Sequence, residues 1–426
     1  MGTSPKANAS YPTGPGALLQ VVREGSAITR AGLARYTGLA RSTVAQRVDA
    51  LIDAGLLYEA GGTASTGGRP PTMLAFKHDA GVILAADLGA THARLALSDL
   101  AAAPLAEHAS ELEIAKGPEA VLTWVQREFE RLLAEVGRTP ADVRGIGIGV
   151  PGPVEFETGR PVSPPIMPRW DGVSIPDWFA DRYRAPVLVD NDVNIMACGE
   201  HSVHWRETPQ VLMIKVGTGI GCGIVAGGEI HRGAQGAAGD IGHIRATSRE
   251  DVVCRCGNIG CLEAVAGGQA LADALTADGI PAEHSRDVVR LVRSGNATAV
   301  RMVRDAGRTL GEVLAGTVNF FNPGVIVIGG DIAEAHEHLL AGVREGIFSR
   351  SLPLATRDLR IVPSRLGDRA GVIGAATMVI EHVLSPAAVD QQLAGGRSGT
   401  ESSRRRDSNP RPPLYEGDSG PGTEGA

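Results

Sequence analysis

Apolar positions recur at helical spacing from Ala17. Leu18, Leu19 and Val22 share one face, and Gly25 ends the run. Thr29 stands where a helix cap would, with Leu33 and Ala34 inward, and Gly38 is a natural turn residue. In A-R-S-T-V-A-Q-R-V-D-A-L-I-D-A-G-L-L, the residues Val44, Val48, Leu51 and Ile52 repeat with the same period, and Gly55 stops it. After Leu57 the chain reads as two short strands around T-A-S-T-G-G-R-P-P. From Gly81 the period shortens. V-I-L-A-A-D-L-G-A-T-H-A-R-L-A-L-S-D reads as strand, turn and strand. A helical stretch near 118–136 follows. V-R-G-I-G-I-G-V-P-G-P-V is then a strand closed by a glycine-proline loop, and P-V-L-V-D-N-D-V-N-I-M-A-C-G-E a strand running into a helix. Q-V-L-M-I-K-V-G-T-G-I-G-C-G-I-V repeats the strand-loop-strand pattern. Helices are expected at 268–278 and 297–321, a strand in P-G-V-I-V-I-G-G-D-I, and a closing helix from about Arg369 to Leu384. Two glycine loops of one kind, each followed by strand-helix units, predict two similar α/β halves facing a cleft.

The pattern divides the 426 residues into a flexible arm at 1–16, a helical head at 17–78 and a two-lobed body at 79–384. The lobes are expected at about 79–192 and 193–384. Residues 385–426 are polar, rich in Pro and Gly and aperiodic, which predicts a disordered tail. An additional nucleic-acid contact through Arg404 to Arg406 is the lesser reading of that tail. No apolar run reaches membrane-spanning length and no leader pattern is present, so a cytoplasmic protein is expected.

The net charge of −7 is unevenly spread. Residues 1–78 carry eight Lys/Arg against four Asp/Glu, which leaves −11 on the remainder. A basic head on an acidic body suits an anionic polymer as partner of the head. Helix, glycine turn, and a helix opening on Arg41-Ser42-Thr43 fit a helix-turn-helix, whose second helix sets its first residues against base edges. Arg41, Ser42, Thr43, Gln46 and Arg47 would face DNA, and the two strands would form a wing carrying Arg69. The alternative is a three-helix protein-interaction module, which has no need of the wing or of the polar first turn.

Three of the five cysteines, Cys254, Cys256 and Cys261, fall in one turn-rich loop a short way past His243. Gly257 and Gly260 let that loop double back. Three thiolates and an imidazole make a closed tetrahedral site, so a structural zinc is expected, with no position left for water. Cysteines without metal are the alternative, and the rarity of cysteine elsewhere weighs against it. Asp240 and Glu263 flank the same loop.

G-A-A-G-D-I-G-H followed by C-R-C-G-N-I-G-C-L-E resembles the signature of the ROK family, which contains repressors and sugar kinases. The resemblance runs from about Ala17 to about Leu384. It implies an actin-like ATPase body of the sugar kinase superfamily with a zinc loop, and the head resembles the winged helix of ROK repressors. It also implies three nucleotide loops. Asp87, Gly89 and Thr91 form the first, with Asp87 placed to hold magnesium. Gly217, Thr218 and Gly219 form the second, and Gly329 and Gly330 the adenosine loop, so ATP and Mg are possible cofactors. The alternative is that these are turns the fold needs in any case. In N-D-V-N, Asp192 matches the kinases' general base, and Asn191, Asp240, His243 and Glu263 match sugar contacts. A capping carboxylate is the alternative for Asp192.

The chain departs from the kinases at Asp240, where they usually carry glutamate. It departs again at His92, where they commonly have lysine, and in the apolar Pro165-Ile166-Met167 segment. The leading expectation is a sugar-responsive regulator, a homodimer or homotetramer that binds operator DNA and takes a sugar or sugar-phosphate effector. An ATP-dependent hexose or amino-sugar kinase is the alternative, and a zinc-stabilised scaffold the third reading.

Overall fold

The computed structural model describes residues 13–61, 72–246, 252–335 and 337–395. The arm's first twelve residues and Arg69 lie outside that set, as do Arg404 to Arg406. The chain forms two units, one from the residues up to Phe76 together with those from Leu384, the other from Lys77–Val383.

In the first unit, α1 (Pro15–Arg23) buries Leu18, Leu19 and Val22. Helix α2 (Arg30–Thr37) is capped by the Thr29 hydroxyl, which accepts from the Gly32 N–H at 2.9 Å, and closes on Gly38 at φ +72. Helix α3 (Arg41–Asp53) follows after a three-residue turn and buries Val44, Val48 and Leu51. Strands β1 (Leu57–Ala60) and β2 (Met73–Phe76) pair antiparallel. The Arg30 guanidinium fastens these elements together. It donates to the Ala45 carbonyl at 3.2 Å, to Asp49 at 2.7 Å and to Glu59 at 3.0 Å.

The expectation of a disordered tail from 385 is corrected over its first residues. Pro386–Gly395 is helical, and Val389 is fully buried. Asp390 accepts from the Gly16 N–H at 2.7 Å, capping the otherwise uncapped start of α1. Such a cap stabilises a helix by about 1 kcal/mol. Gly16 is needed there, since a Cβ would lie 2.3 Å from the Pro386 carbonyl oxygen. The polar composition of the longer segment masked this short apolar run.

The second unit holds two sheets of the same topology. The first sheet uses β3 (Val82–Leu88), β4 (His92–Asp99), β5 (Pro104–Glu111), β6 (Val143–Val150) and β9 (Val187–Asn191), in the order β5-β4-β3-β6-β9. Helix α4 (Pro118–Glu135) packs on it. The hairpin of β7 (Val154–Glu155) and β8 (Arg160–Pro161) and helix α5 (Ile175–Ala180) lie between β6 and β9 in the chain. Helix α6 (Asp192–His204) leads on to β10 (Gln210–Val216), β11 (Ile220–Ala226) and β12 (Glu229–Ile230). Then come α7 (Leu262–Ala266), α8 (Gly268–Ala277), α9 (Ser285–Arg293), α10 (Ala297–Phe321) and β13 (Val325–Gly329). Helices α11 (Glu337–Arg350) and α12 (Pro353–Thr356), strand β14 (Arg360–Pro363) and helix α13 (Ala370–Val383) complete the unit. The second sheet runs β12-β11-β10-β13-β14. In each sheet the first three strands are antiparallel and the last two join in parallel.

Two helices cross between the sheets, and α13, which falls within the lobe expected at about 193–384, departs from that division. Helix α6 leaves the first sheet and packs on β10 and β11 of the second, while α13 leaves the second and packs on β3 and β6 of the first. In V-R-G-I-G-I-G-V, Gly145 and Gly147 make room for α13, and Gly149 for α6. A Cβ at Gly147 would stand 2.4 Å from the Ala375 carbonyl oxygen. Helices α6 and α13 also press together, and a Cβ at Gly374 would lie 1.7 Å from the Ile195 carbonyl oxygen. The two exchanged helices are therefore the seam between the lobes.

Candidate functional site

The ends of β3, β9, β10 and β13 and the start of α6 wall a cleft of about 1300 Å³ within the second unit. Asp192 opens α6 and is buried. Asn191 caps that helix by accepting from the Val193 N–H at 2.9 Å and donates to the Gly152 carbonyl at 3.2 Å. Its amide thus holds two walls together, and one N–H and one lone pair remain for a ligand.

Asp190, just before it, takes Arg232 Nε at 2.8 Å and Asn194 Nδ2 at 2.8 Å. This fixes the strand end from which Asn191 and Asp192 project. The fully buried Glu200 accepts from the Ser364 hydroxyl at 2.6 Å and from the Arg365 and Leu366 N–H groups at 2.8 and 2.9 Å. It holds the turn that leads into α13.

Asp240, His243 and Glu263 line the same cleft, beside Cys256. A single turn at Ile241–His243 presents the histidine, and α7 begins directly after Cys261 and presents Glu263. Gly257 at φ +90 and Gly260 at φ +73 turn the thiol loop back, so that the ligand atoms of His243, Cys254, Cys256 and Cys261 all lie within 4.8 Å of one another. The Cys256 and Cys261 sulfurs are 3.7 Å apart, and the Cys254 sulfur is 3.6 Å from His243 Nδ1. A tetrahedron built on Zn–S and Zn–N bonds has edges of about 3.8 and 3.5 Å, so the four groups suit a zinc ion. Burial pushes the Cys261 thiol up to about 12 and raises Cys254, while the Asn258 backbone N–H draws Cys256 down to about 7. A dication is what lets thiols so placed ionise together. His243 Nε2 faces the cleft, 3.9 Å from Asp240.

Glu263 does more than its motif implies. Its Oε2 accepts from the Ile220 N–H at 3.2 Å, and a Cβ at Gly219 would collide with that oxygen at 2.0 Å. The helix that follows the thiol loop therefore braces the Gly217-Thr218-Gly219 turn. Those three residues line the cleft, as do Gly329 and Gly330.

The first loop differs. Asp87 reaches the cleft, but Gly89 and Thr91 are not on its wall. The His92 ring lies over Gly89, where a Cβ would stand 2.6 Å from Cε1. Burial, with Lys215 nearby, lowers the His92 pKa. Burial pushes Asp87 up to about 6, and its Oδ1 has no hydrogen-bond partner.

The motifs did not single out Lys215, the residue that decides the electrostatics here. Its ammonium is 2.5 Å from Asp192 Oδ2, and although burial works against its charge, Asp192 and Asp87 raise its pKa. The signal was a lone lysine inside the apolar strand V-L-M-I-K-V. With His92 over Gly89 and Lys215 on Asp192, the expected ATP and magnesium site does not fit at its Asp87 end. The adenosine side remains open.

The family model described as ROK family matches residues 83–382. This chain belongs to the ROK family. It is 32% identical over 382 residues to a putative xylose repressor of Caldicellulosiruptor sp. (strain Rt8B.4), covering 86% of this chain and 95% of that one. Among solved structures, a ROK family transcriptional regulator described as a homolog of the E. coli MLC protein matches with TM-score 0.75 at 27% identity. That match covers 89% of this chain and 98% of the other. A ROK family glucokinase from Streptomyces griseus, solved with glucose and AMPPNP, matches with TM-score 0.59 at 26% identity, covering 70% of this chain and 99% of its own. The ROK chain with a regulator's name is matched along both units, whereas the kinase accounts for less.

Among the described residues, no single helix is long and apolar enough to cross a membrane.

Proposed function

We propose that the chain is a sugar-responsive transcriptional repressor, with α1 to α3 and the β1–β2 hairpin as a winged helix on operator DNA and a carbohydrate bound in the body's cleft. The observation that carries this reading is the extent of similarity. The two regulators are matched over 86% and 89% of this chain, the glucokinase over 70%.

Arg41, Ser42 and Gln46 are exposed on the first turns of α3, with Thr43 and Arg47 half-buried beside them. They are positioned as a recognition helix would hold them. In the cleft, Asn191, Asp192, Asp240, Glu263 and the Nε2 of His243 are the ring contacts. One structural zinc on His243, Cys254, Cys256 and Cys261 fixes that histidine's tautomer and anchors Glu263. Sugar acts only through its different affinity for two arrangements of the lobes. Helix α13 begins at the cleft and is followed in the chain, after two residues, by the helix whose Asp390 caps α1. That is a covalent route from ligand to head.

Fluorescence anisotropy with DNA upstream of the protein's own gene, against xylose, glucose and their phosphates, tests this. A sugar should shift DNA affinity by five- to 150-fold, about 1–3 kcal/mol. Alanine at Arg41, Ser42 and Thr43 together should abolish the sequence preference, and unchanged binding by that variant would refute the assignment. Stripping zinc with a chelator should weaken the sugar response before it weakens DNA binding.

A further inference from the structure

We propose that Lys215 is the cleft's built-in counter-cation, occupying the place between Asp192 and Asp87 that a divalent metal would need, so that this cleft binds its sugar without metal-nucleotide. Three observations carry it. The Lys215 ammonium is 2.5 Å from Asp192, and both are held by rigid backbone, one in the middle strand of the second sheet and the other in the first turn of α6. Asp87 is buried within the field of Lys215, the cation that acts on it most strongly, and its Oδ2 is closely packed, since a Cβ at Gly371 would lie 2.0 Å from it. The His92 ring covers Gly89, the backbone that would have to approach a phosphate.

The charge argument is short. A metal bridging buried carboxylates is held by their negative charge, and an ammonium already paired to one of them removes much of that attraction. The metal would also have to displace a half-buried cation from the carboxylate it is paired with. The same pair occupies the carboxylate that would otherwise accept a proton from a sugar hydroxyl. Lys215 is therefore a specificity residue. It leaves Asp240, Glu263, Asn191, His243 and the Oδ1 of Asp192 available to a neutral polyol.

The inference concerns the cleft alone and does not depend on the DNA reading, because its test needs no DNA. Manganese binding to the full-length, zinc-loaded protein is followed by electron paramagnetic resonance, with Mn²⁺ as the probe. The wild type should show no Mn²⁺ uptake that is lost on Asp87→Asn. Lys215→Met should gain Mn²⁺ affinity at least ten-fold, and the Lys215→Met/Asp87→Asn double variant should lose that gain. Lys215→Gln repeats the measurement should the methionine variant fold poorly, and Lys215→Arg should show no gain. Asp87-dependent Mn²⁺ binding by the wild type overturns the proposal, as does a folded Lys215→Met or Lys215→Gln protein with no gain.

Discussion

Asp87 and Lys215 hold equivalent places in two sheets of one topology, and they carry opposite charge. Each is the penultimate residue of the strand that runs into a glycine turn, Asp87-Leu88-Gly89 in the first half and Lys215-Val216-Gly217 in the second. Each side chain reaches the cleft. Beyond them the halves diverge. The first turn is closed by the His92 ring, while the second stays on the cleft wall, braced by a glutamate of α7. A duplicated fold supplies two matched sockets. The side chain at one position in each then decides whether the pair of sockets suits a metal-bound phosphate or an uncharged ring.

The sharpest way to break the comparison is to remove one charge. Lys215→Ala leaves Asp192 and Asp87 buried without their cation and should destabilise the protein by about 3–5 kcal/mol in denaturant unfolding. A loss below about 1 kcal/mol would mean that the two ends are not electrostatically joined. A smaller effect separates the two turns. Gly219→Ala drives a Cβ into the Glu263 carboxylate and should weaken sugar binding about ten-fold, roughly 1.4 kcal/mol by titration calorimetry. Gly89→Ala meets only the His92 ring and should change sugar affinity less than two-fold. Equal effects would erase the distinction between open and closed turns.

The smallest effect is a pH dependence. Burial raises the folded pKa of Asp87 to about 6 from 3.8, so its ionisation opposes folding above pH 6 and ceases to do so as pH falls toward 4. Between pH 7 and pH 5 the wild type should gain roughly 1 kcal/mol of stability relative to Asp87→Asn. Parallel pH profiles for the two proteins would show that Asp87 is not held in this way.

Much of this was legible along the chain because it is local. Thr29 caps a helix by accepting from a backbone N–H three residues on, Gly38 ends that helix, and C-R-C-G-N-I-G-C brings three sulfurs together within eight residues. What was not legible depends on the path of the chain in space. Nothing near Lys215 announces Asp192, since the two meet only because α6 crosses to the second sheet. The exchange of α6 and α13 is invisible to hydrophobic period, which says that a helix is buried but not by what. The strand of β6 was legible, but not that its Gly145 and Gly147 are the floor on which α13 lies. Asp390 sits in a segment whose average composition hides a short helix with a distant purpose.

That last contact has a consequence for biosynthesis. Residue 390 leaves the ribosome after nearly all of the body, and only then can the amide of Gly16 receive its partner. The head's first helix, translated earliest, is completed last. A nascent or prematurely terminated chain carries a weakened head, and so the head acquires its final helix start only in a molecule that also possesses its body.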